Sequence, residues 1–202
     1  MATAKLREFL KRMNDGEMFS ARDVLRLSRR RKTVYAALWR LNKKGEIFRV
    51  AQGLYIKGGE NAPKPTVTEI AHAKASAFFK TVAEISADFA RRVGIEFTAK
   101  SSAIFATNGR SSIIRSCHGP IQFIGASLRK IALQDSLVGV QLRTVWHWGR
   151  YSDPAPVKIA AIRWSDANRQ ECDSRFKLLP YWLADMLTLP FENRSRTPVL
   201  LE

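Results

Sequence analysis

A helix followed by a β-hairpin is predicted within residues 31–57, which read RKTVYAALWRLNKKGEIFRVAQGLYIK. The helix covers residues 31–43, because apolar residues recur there at the three- and four-residue spacing of a helix with one buried face. These apolar residues are Val34, Ala37, Leu38 and Leu41. Gly45 ends the pattern, since glycine readily adopts the left-handed conformation that closes a helix.

Beyond Gly45 apolar and polar residues alternate, which is the period of a β-strand. Residues 47–51 and 54–57 are predicted as two short strands joined by a turn at Gln52 and Gly53. Glycine supplies the positive φ that such a tight turn needs. A hairpin is therefore expected directly after the helix.

Two further helices are predicted upstream, over residues 5–13 and about residues 21–27. Ser20 is a suitable N-cap for the second of them, with Asp23 at the third helical position as in a capping box. The first carries four apolar residues on one face: Leu6, Phe9, Leu10 and Met13. Three helices and a hairpin follow the order of a winged helix-turn-helix, which is the fold predicted for residues 1–60.

The chain is strongly basic, with 34 lysines and arginines, 18 acidic residues and a formal net charge of +16. Residues 1–65 contain sixteen of the basic residues and only six of the acidic ones. The basic density is greatest in Arg29-Arg30-Arg31-Lys32, at the start of the third predicted helix. A surplus of this size favours a polyanionic partner, and nucleic acid is the first candidate.

A winged helix-turn-helix binds double-stranded DNA by placing a helix in the major groove, where its outward side chains reach base edges. Basic residues at the start of that helix suit phosphates, and arginine also binds guanine through two hydrogen bonds. The hairpin would reach an adjacent backbone or minor groove. The predicted DNA-binding residues are Ser28, Arg29, Arg30, Arg31, Lys32, Thr33, Tyr35, Arg40, Lys43, Arg49, Gln52 and Lys57.

Other interpretations of this basic region stay open. A module of three helices and a hairpin can bind proteins, in which case its basic surface would take an acidic partner. Tyr35 and Trp39 could stack on unpaired RNA bases. A membrane partner is not expected, because the sequence contains no run of eighteen apolar residues and no long basic amphipathic helix.

A second, α+β domain is predicted over residues 66–202. Pro63 and Pro65 mark the junction, because closely spaced prolines disfavour both helix and strand. One helix, capped by Thr68, is predicted from residue 66 to about residue 93. The fold class predicted for the whole chain is α+β, with an amino-terminal winged helix-turn-helix followed by this domain.

The second predicted domain continues with a small antiparallel sheet. Its three strands are expected at residues 103–106, 112–115 and 121–124, with turns at Asn108-Gly109 and His118-Gly119-Pro120. A helix capped by Ser127 is then predicted to run to about residue 150, with a possible break at Gly139.

Two sets of short motifs resemble AbiEi-type antitoxins and related plasmid and phage winged-helix proteins. Residues 34–49 followed by Gly53-Leu54-Tyr55 are similar to the winged-helix region of that family, where Ala-Leu, Arg-Leu, a basic pair and glycine precede a strand and Gly-Leu-Tyr. Ser127-Leu128-Arg129-Lys130, Gly149-Arg150 and a late helix over residues 179–187 resemble later elements.

The resemblance implies a type IV antitoxin that antagonises a nucleotidyltransferase-like toxin without a tight complex. It also implies repression of the protein's own operon through binding to operator repeats, with possible self-association on the DNA. In that family the winged helix binds DNA, and the second domain carries most of the antitoxin role. A solo transcriptional regulator without a toxin partner would have the same sequence features.

No catalytic site, metal site or cofactor is predicted. The histidines are isolated in the sequence: His72, His118 and His147. Cys117 adjoins His118, but neighbouring residues of a strand point to opposite faces, so the pair is not expected to act as nucleophile and base. The one mildly acidic stretch offers only weak metal ligands: Asp166, Glu171 and Asp173.

The expected location is the cytoplasm. Cys117 and Cys172 are the only cysteines and lie far apart, so a disulfide framework is not expected. Residues 1–9 alternate charged and apolar side chains, which is unlike the apolar centre of a secretory leader.

Overall fold

The computed structural model describes residues 2–98, 100–101, 103–149 and 166–188. The chain is mixed α+β, with a curled mixed sheet. It divides into two compact units, the first formed by Met1–Val82 with Lys100–Ala126 and the second by Ala83–Ala99 with Ser127–Glu202. This division differs from the predicted one, residues 1–60 and 66–202, because strands beyond residue 100 join the sheet that contains the amino-terminal hairpin.

The first unit begins with the predicted helices and hairpin and one additional strand. Its first elements are α1 (Ala2–Lys11), β1 (Met18–Ser20), α2 (Ala21–Leu25), α3 (Arg31–Lys43), β2 (Ile47–Ala51) and β3 (Leu54–Lys57). The bounds predicted for α3, β2 and β3 are confirmed, whereas β1 is absent from the prediction. Gly45 and Gly53 have positive φ values of 70° and 78°, as the predicted helix end and hairpin turn require.

The capping box predicted at the start of α2 is also confirmed. Ser20 Oγ accepts a hydrogen bond from the Asp23 backbone N–H at 3.3 Å, and the Asp23 carboxylate accepts one from the Ser20 N–H at 2.8 Å. A cap of this kind contributes about 1 kcal/mol to helix stability. It fixes the beginning of a helix of only five residues.

The sheet of the first unit has the strand order β1-β3-β2-β6-β7-β5, where β5 is Ala103–Thr107, β6 is Ser112–Ser116 and β7 is Gly119–Gly125. Pairing of Ala51 with Ser116 joins β2 to β6. Strands β6 and β7 are antiparallel, but β5 and β7 are parallel.

The predicted small antiparallel sheet is therefore wrong, because the three strands form part of a larger mixed sheet. The turn at Asn108-Gly109 does not close a hairpin between β5 and β6. Instead, the Asn108 side-chain oxygen accepts from the Thr81 N–H at 3.0 Å, and the Asn108 N–H donates to the Thr81 carbonyl at 3.4 Å. Asn108 is thus bonded to the segment before β4, and β5 pairs with β7 instead of β6.

The single helix predicted over residues 66–93 is also wrong. Helix α4 (Val67–Ser76) is followed by strand β4 (Val82–Ser86) and helix α5 (Ala87–Arg92). Thr66, and not Thr68, caps α4 in a capping box with Glu69. The chain leaves the helix at Phe79, whose φ is 55°.

Hydrophobic residues on the two faces of the hairpin belong to two different cores. Tyr55 packs with Phe19 and the inner faces of α1, α2 and α3. Leu54 and Ile56, which point the other way, pack with α4 and the apolar residues of β6 and β7. The hairpin is thus buried on both faces, and this holds α3 in a fixed orientation within the first unit.

The second unit contains most of β4 and the later helices. These are α5, α6 (Leu128–Ile131), α7 (Leu137–Trp148), α8 (Asp166–Arg175), a 3₁₀ turn (Phe176–Leu178) and α9 (Tyr181–Thr188). The predicted cap at Ser127 is confirmed, but the long helix that it starts is not. The chain breaks between α6 and α7 at Gln134, where φ is 60°, while Gly139 lies inside α7. Arg150 lies outside the described residues.

Arg143 is fully buried within the second unit and holds the break between α6 and α7. Its Nε donates to the Lys130 carbonyl at 3.1 Å, and its Nη1 donates to the Glu84 carbonyl at 2.6 Å. Further hydrogen bonds reach the Gln134 carbonyl and, at 3.3 Å, the Asp135 carboxylate. The guanidinium group therefore satisfies acceptors from three segments of the chain.

Candidate nucleic-acid interface

The inner face of α3 determines which of its side chains face solvent. The apolar stripe predicted for this helix is buried in the core of α1, α2 and α3, as Val34, Ala37, Leu38 and Leu41. The opposite side is exposed: Arg31, Lys32, Thr33, Ala36, Arg40 and Lys43. Because the helix has 13 residues, it is about 20 Å long and presents this outer face over its whole length.

The basic cluster, Arg29 to Lys32, lies where the α2–α3 turn becomes helix. Ser28 Oγ accepts a hydrogen bond from the Arg30 N–H at 3.3 Å, which tightens the turn. Arg30 is the N-cap residue of α3, has an extended backbone and makes no side-chain capping bond. All four basic side chains are exposed, and among the described residues none of them takes part in an ion pair.

The helix dipole makes this basic cluster electrostatically unfavourable in the free protein. The amino-terminal end of a helix carries partial positive charge, and the first turn of α3 contains no acidic residue. The first backbone N–H groups of a helix lack intrahelical partners and add further donors, although the Thr33 N–H already donates to the Arg30 carbonyl at 3.0 Å. An anion bound here would interact with the dipole, the N–H groups and the four side chains together.

Acidic residues near this surface are engaged elsewhere. Each acidic side chain among residues 2–57 has a partner outside the basic cluster, and three of the five partners are cations. The pairs are Glu8 with Arg12, Asp15 with Lys57, Glu17 with the Asn14 N–H, Asp23 with Ser20, and Glu46 with Arg7. Most of the positive charge of α3 therefore remains unneutralised.

The pair between Arg7 and Glu46 ties α1 to the segment just after α3. Arg7 donates from both Nε and Nη2 to the Glu46 carboxylate, at 2.8 and 2.6 Å. This pairing raises the pKa of Arg7, and the hydrogen bond from Arg7 lowers the pKa of Glu46. The pairing removes from the outer surface an acidic charge that would otherwise repel an anion.

Two exposed aromatic side chains lie on one flank of α3, next to basic residues. Tyr35 is 49 % exposed and Trp39 is 63 % exposed, one helical turn apart. Lys43 Nζ lies 6.0 Å from the centre of the Trp39 ring, and Arg40 Nε donates to the Ala36 carbonyl at 3.2 Å. These interactions hold both cations against the helix surface.

Arg49 extends this surface onto the hairpin. It pairs with Tyr55 across β2 and β3, so both side chains lie on the face of the hairpin that packs against α3. Burial raises the pKa of Tyr55, and the charge of Arg49 lowers it. Arg49 Nε also donates to the Ala51 carbonyl at 3.3 Å.

The other two predicted hairpin residues have different surroundings. Gln52 is exposed at the turn, but its carbonyl accepts a hydrogen bond from Lys74 Nζ at 2.6 Å. Lys57 Nζ donates to the Met13 carbonyl at 2.9 Å and lies 3.2 Å from the Asp15 carboxylate. The ammonium group of Lys57 is thus occupied by the connection between α1 and β1.

Lys74 is a basic residue near the hairpin turn that the sequence prediction lacks. Burial lowers its pKa, and the nearby charge of Arg49 lowers it further. It belongs to α4, 22 positions after Gln52, and its neighbours become evident only when α4 packs on the hairpin. No local sequence pattern could have assigned it to this surface.

The histidines and the cysteine singled out in the sequence have the following surroundings in the structure. Cys117 is an exposed free cysteine, and His118 Nε2 lies 2.8 Å from the Pro65 carbonyl. His147 packs against Trp148, and its burial, together with the charge of Lys130, lowers its pKa to about 4. Within the described part of the chain, no group of three or more histidine, cysteine or acidic residues could hold a metal ion.

Glu171 forms an ion pair with Arg175 at 2.7 Å on α8, and Asp173 is exposed on the same helix. The side chain of Asp166 lies outside the described residues. No helix among the described residues is long and apolar enough to cross a membrane.

Comparison with models of protein families and with curated protein sequences finds no match to the chain.

Proposed function

We propose that residues 2–57 form a winged helix-turn-helix that binds double-stranded DNA at specific sequences, with α3 in the major groove. The order of elements supports the fold assignment, since α1, β1, α2 and α3 are followed by the hairpin of β2 and β3. The pairing of β1 with β3, and of β3 with β2, closes this region with a three-stranded sheet. The outer face of α3 is left uncovered by these elements.

The observation that carries the proposal is the unneutralised charge at the start of α3. The exposed residues Arg29 to Lys32 sit at the positive end of a helix dipole and have no ion-pair partner among the described residues. A phosphate backbone supplies the missing negative charge and releases the counterions condensed on it. A protein partner whose surface carries both positive and negative charges would pair with fewer of these four basic side chains than a DNA backbone would.

Different residues would serve affinity and specificity. The basic cluster and Arg49 are suited to phosphates, which position the protein without reading sequence. Thr33 and Arg40 lie on the outer stripe of α3, where side chains reach base edges. Tyr35 would pack against the sugar-phosphate backbone beside them.

The resemblance to AbiEi-type antitoxins extends the proposal. It adds repression of the protein's own operon through operator repeats and antagonism of a nucleotidyltransferase-like toxin by the second unit. Both roles rest on the resemblance alone, and both imply action in the cytoplasm. A regulator without a toxin would share the DNA-binding half of the proposal.

The test is a titration of the full chain on its own upstream promoter duplex and on a scrambled duplex of equal length, at two salt concentrations. We expect tighter binding to the promoter at both concentrations. Replacing Arg30, Arg31 and Arg40 by alanine should abolish the preference. A charge-matched control, with Lys5, Lys11 and Arg92 replaced by alanine, should retain it, because these exposed residues lie off α3.

Equal affinity for both duplexes that disappears as salt rises would contradict sequence-specific binding, because counterion release alone has that behaviour. Binding to neither duplex would contradict the proposal altogether. That result would favour a protein-interaction module with an acidic partner.

A further inference from the structure

A cleft lies in the first unit between the carboxyl end of α4 and the strands β5, β6 and β7. Its volume is about 270 Å³. Four buried residues form its apolar floor: Ala75, Val82, Ile114 and Phe123. The half-exposed ring of Phe78 forms one side. Ligand sites are typically concave, mostly apolar and lined by a few polar groups, and this volume suits a small ligand.

The rim of this cleft is cationic. Lys74, Lys80 and Arg110 line it, and no acidic residue does. Lys80 and Arg110 are exposed and take part in no ion pair among the described residues. Lys74 Nζ lies 5.2 Å from the centre of the Phe78 ring, which holds that ammonium group at the edge of the apolar wall.

Two further polar residues, Thr107 and Ser112, line the cleft, and Ser112 is exposed. The Thr107 hydroxyl donates to the Thr81 carbonyl at 3.0 Å and accepts from the Gly109 N–H at 3.1 Å. Thr107 therefore has little capacity left for a neutral polar ligand. The groups of the cleft that remain available to a ligand are the apolar floor, the exposed Ser112 hydroxyl and the positive charge of the rim.

We propose that this cleft binds a small amphipathic anion: a ring-sized apolar body with one carboxylate or phosphate group. The body would displace water from Val82, Ile114 and Phe123 and lie against the Phe78 ring. The anionic group would meet Lys80 and Arg110 at the rim, where arginine can donate two parallel hydrogen bonds. A cation would be repelled at this rim, and a neutral molecule would leave the two charges unused. The proposal does not depend on DNA binding, because no residue of α3 lines the cleft.

The test uses 2-naphthoate as the ligand and the full chain labelled with ¹³C at the methyl groups of isoleucine and valine. We expect a saturable change in the methyl shifts of Ile114 and Val82. The neutral isostere 2-naphthalenemethanol should bind at least about fivefold more weakly, which corresponds to the loss of one charge-assisted hydrogen bond. A parallel titration with 2-naphthyl phosphate distinguishes a phosphate ligand from a carboxylate.

Substitution of the exposed rim separates charge recognition from simple hydrophobic binding. The double variant Lys80→Gln/Arg110→Gln should bind 2-naphthoate about tenfold more weakly, with its affinity for 2-naphthalenemethanol unchanged. The matched control Lys5→Gln/Lys11→Gln removes the same charge from α1 and should bind both compounds as the wild type does. Far-ultraviolet circular dichroism verifies that each variant is folded.

Three results would overturn the proposal: no shift of the Ile114 and Val82 methyl groups, equal affinity for the acid and the alcohol, or undiminished naphthoate binding by the rim variant. None of them bears on promoter binding, so failure here and failure of the proposed DNA-binding function are distinguishable.

Discussion

Three arginines of the first unit and one arginine of the second unit occupy opposite environments. Arg29, Arg30 and Arg31 are exposed at the positive end of α3 and have no ion-pair partner among the described residues. Arg143 in the second unit is fully buried, and its guanidinium group donates to three carbonyls and a carboxylate. A buried guanidinium group that donates to several acceptors stabilises the fold. An exposed guanidinium group without an ion-pair partner is available to a ligand. At the positive end of a helix it also lowers the stability of the free protein.

The largest expected effect comes from removing the buried charge. Arg143→Met keeps much of the volume but leaves the Lys130, Glu84 and Gln134 carbonyls without their donor. Breaking one side of such a buried network costs about 3–5 kcal/mol, so the urea midpoint should fall sharply. Arg143→Lys should recover only part of this stability, because one ammonium group cannot reach acceptors on three segments. A midpoint like that of the wild type would show that Arg143 is not a structural centre of the second unit.

Gly139→Ala should disturb the break between α6 and α7, which is the segment that Arg143 holds. A Cβ atom at this position would lie 2.1 Å from the Leu133 carbonyl oxygen and 2.4 Å from that of Gln134. Both are backbone atoms, so the substitution must displace the break that Arg143 holds, at a cost of about 1–3 kcal/mol. Thermal unfolding followed by circular dichroism measures the effect. The matched control Ala132→Gly, at an exposed position between α6 and the break, should change the midpoint far less.

Replacing the exposed arginines should weaken DNA binding and leave the stability of the fold almost unchanged. Arg29→Gln/Arg30→Gln/Arg31→Gln is expected to reduce the slope of log affinity against log salt by roughly 0.9 for each phosphate that the variant no longer neutralises. The unfolding free energy should stay the same or rise slightly, because three cations leave the positive end of a helix. Promoter-binding titrations at several salt concentrations and urea unfolding of the same samples measure both quantities. An unchanged slope would contradict phosphate binding by this cluster.

The smallest effect concerns the carboxyl group of Glu84, whose backbone carbonyl binds Arg143. Burial, and then the charge of Asp135, raise the pKa of Glu84. Because the folded pKa is the higher one, the folded state holds this proton more tightly, and stability falls as pH rises from the unfolded towards the folded pKa. Glu84→Gln removes this dependence, so its midpoint should exceed that of the wild type at pH 7 and approach it in acid. A difference that grows as pH falls would contradict the assigned direction.

The parts of the fold that follow from local patterns were predictable, and the parts that depend on distant partners were not. The stripe from Val34 to Leu41 and the glycines at 45 and 53 determine α3 and the hairpin locally. The parallel pairing of β5 with β7 and the bond between Asn108 and Thr81 join residues far apart in the sequence, and no turn motif indicates them. Phe78 and Phe79 resemble a continuing helix in the sequence, yet both are exposed where the chain leaves α4.

In the candidate interface, too, some features follow from local sequence patterns and others depend on distant residues. Exposure of the residues on the outer stripe of α3 follows from the buried stripe alone, and the basic cluster is evident from composition. The surroundings of Lys57 and Lys74 depend on the packing of α1 and α4 against the hairpin. Sequence patterns alone therefore cannot show that the Lys57 ammonium group is already hydrogen-bonded, or that Lys74 lies beside the hairpin turn.

The most direct test of DNA recognition by α3 is photocrosslinking from its outer stripe. Ala36 is exposed between Thr33 and Arg40, and Ala4 is exposed on α1. With p-benzoylphenylalanine in place of Ala36, irradiation on the promoter duplex should give a protein–DNA adduct, and the same substitution at Ala4 should give none. Adducts from Ala4 alone, or none from Ala36 when the variant still binds the promoter, would show that DNA is bound by another surface.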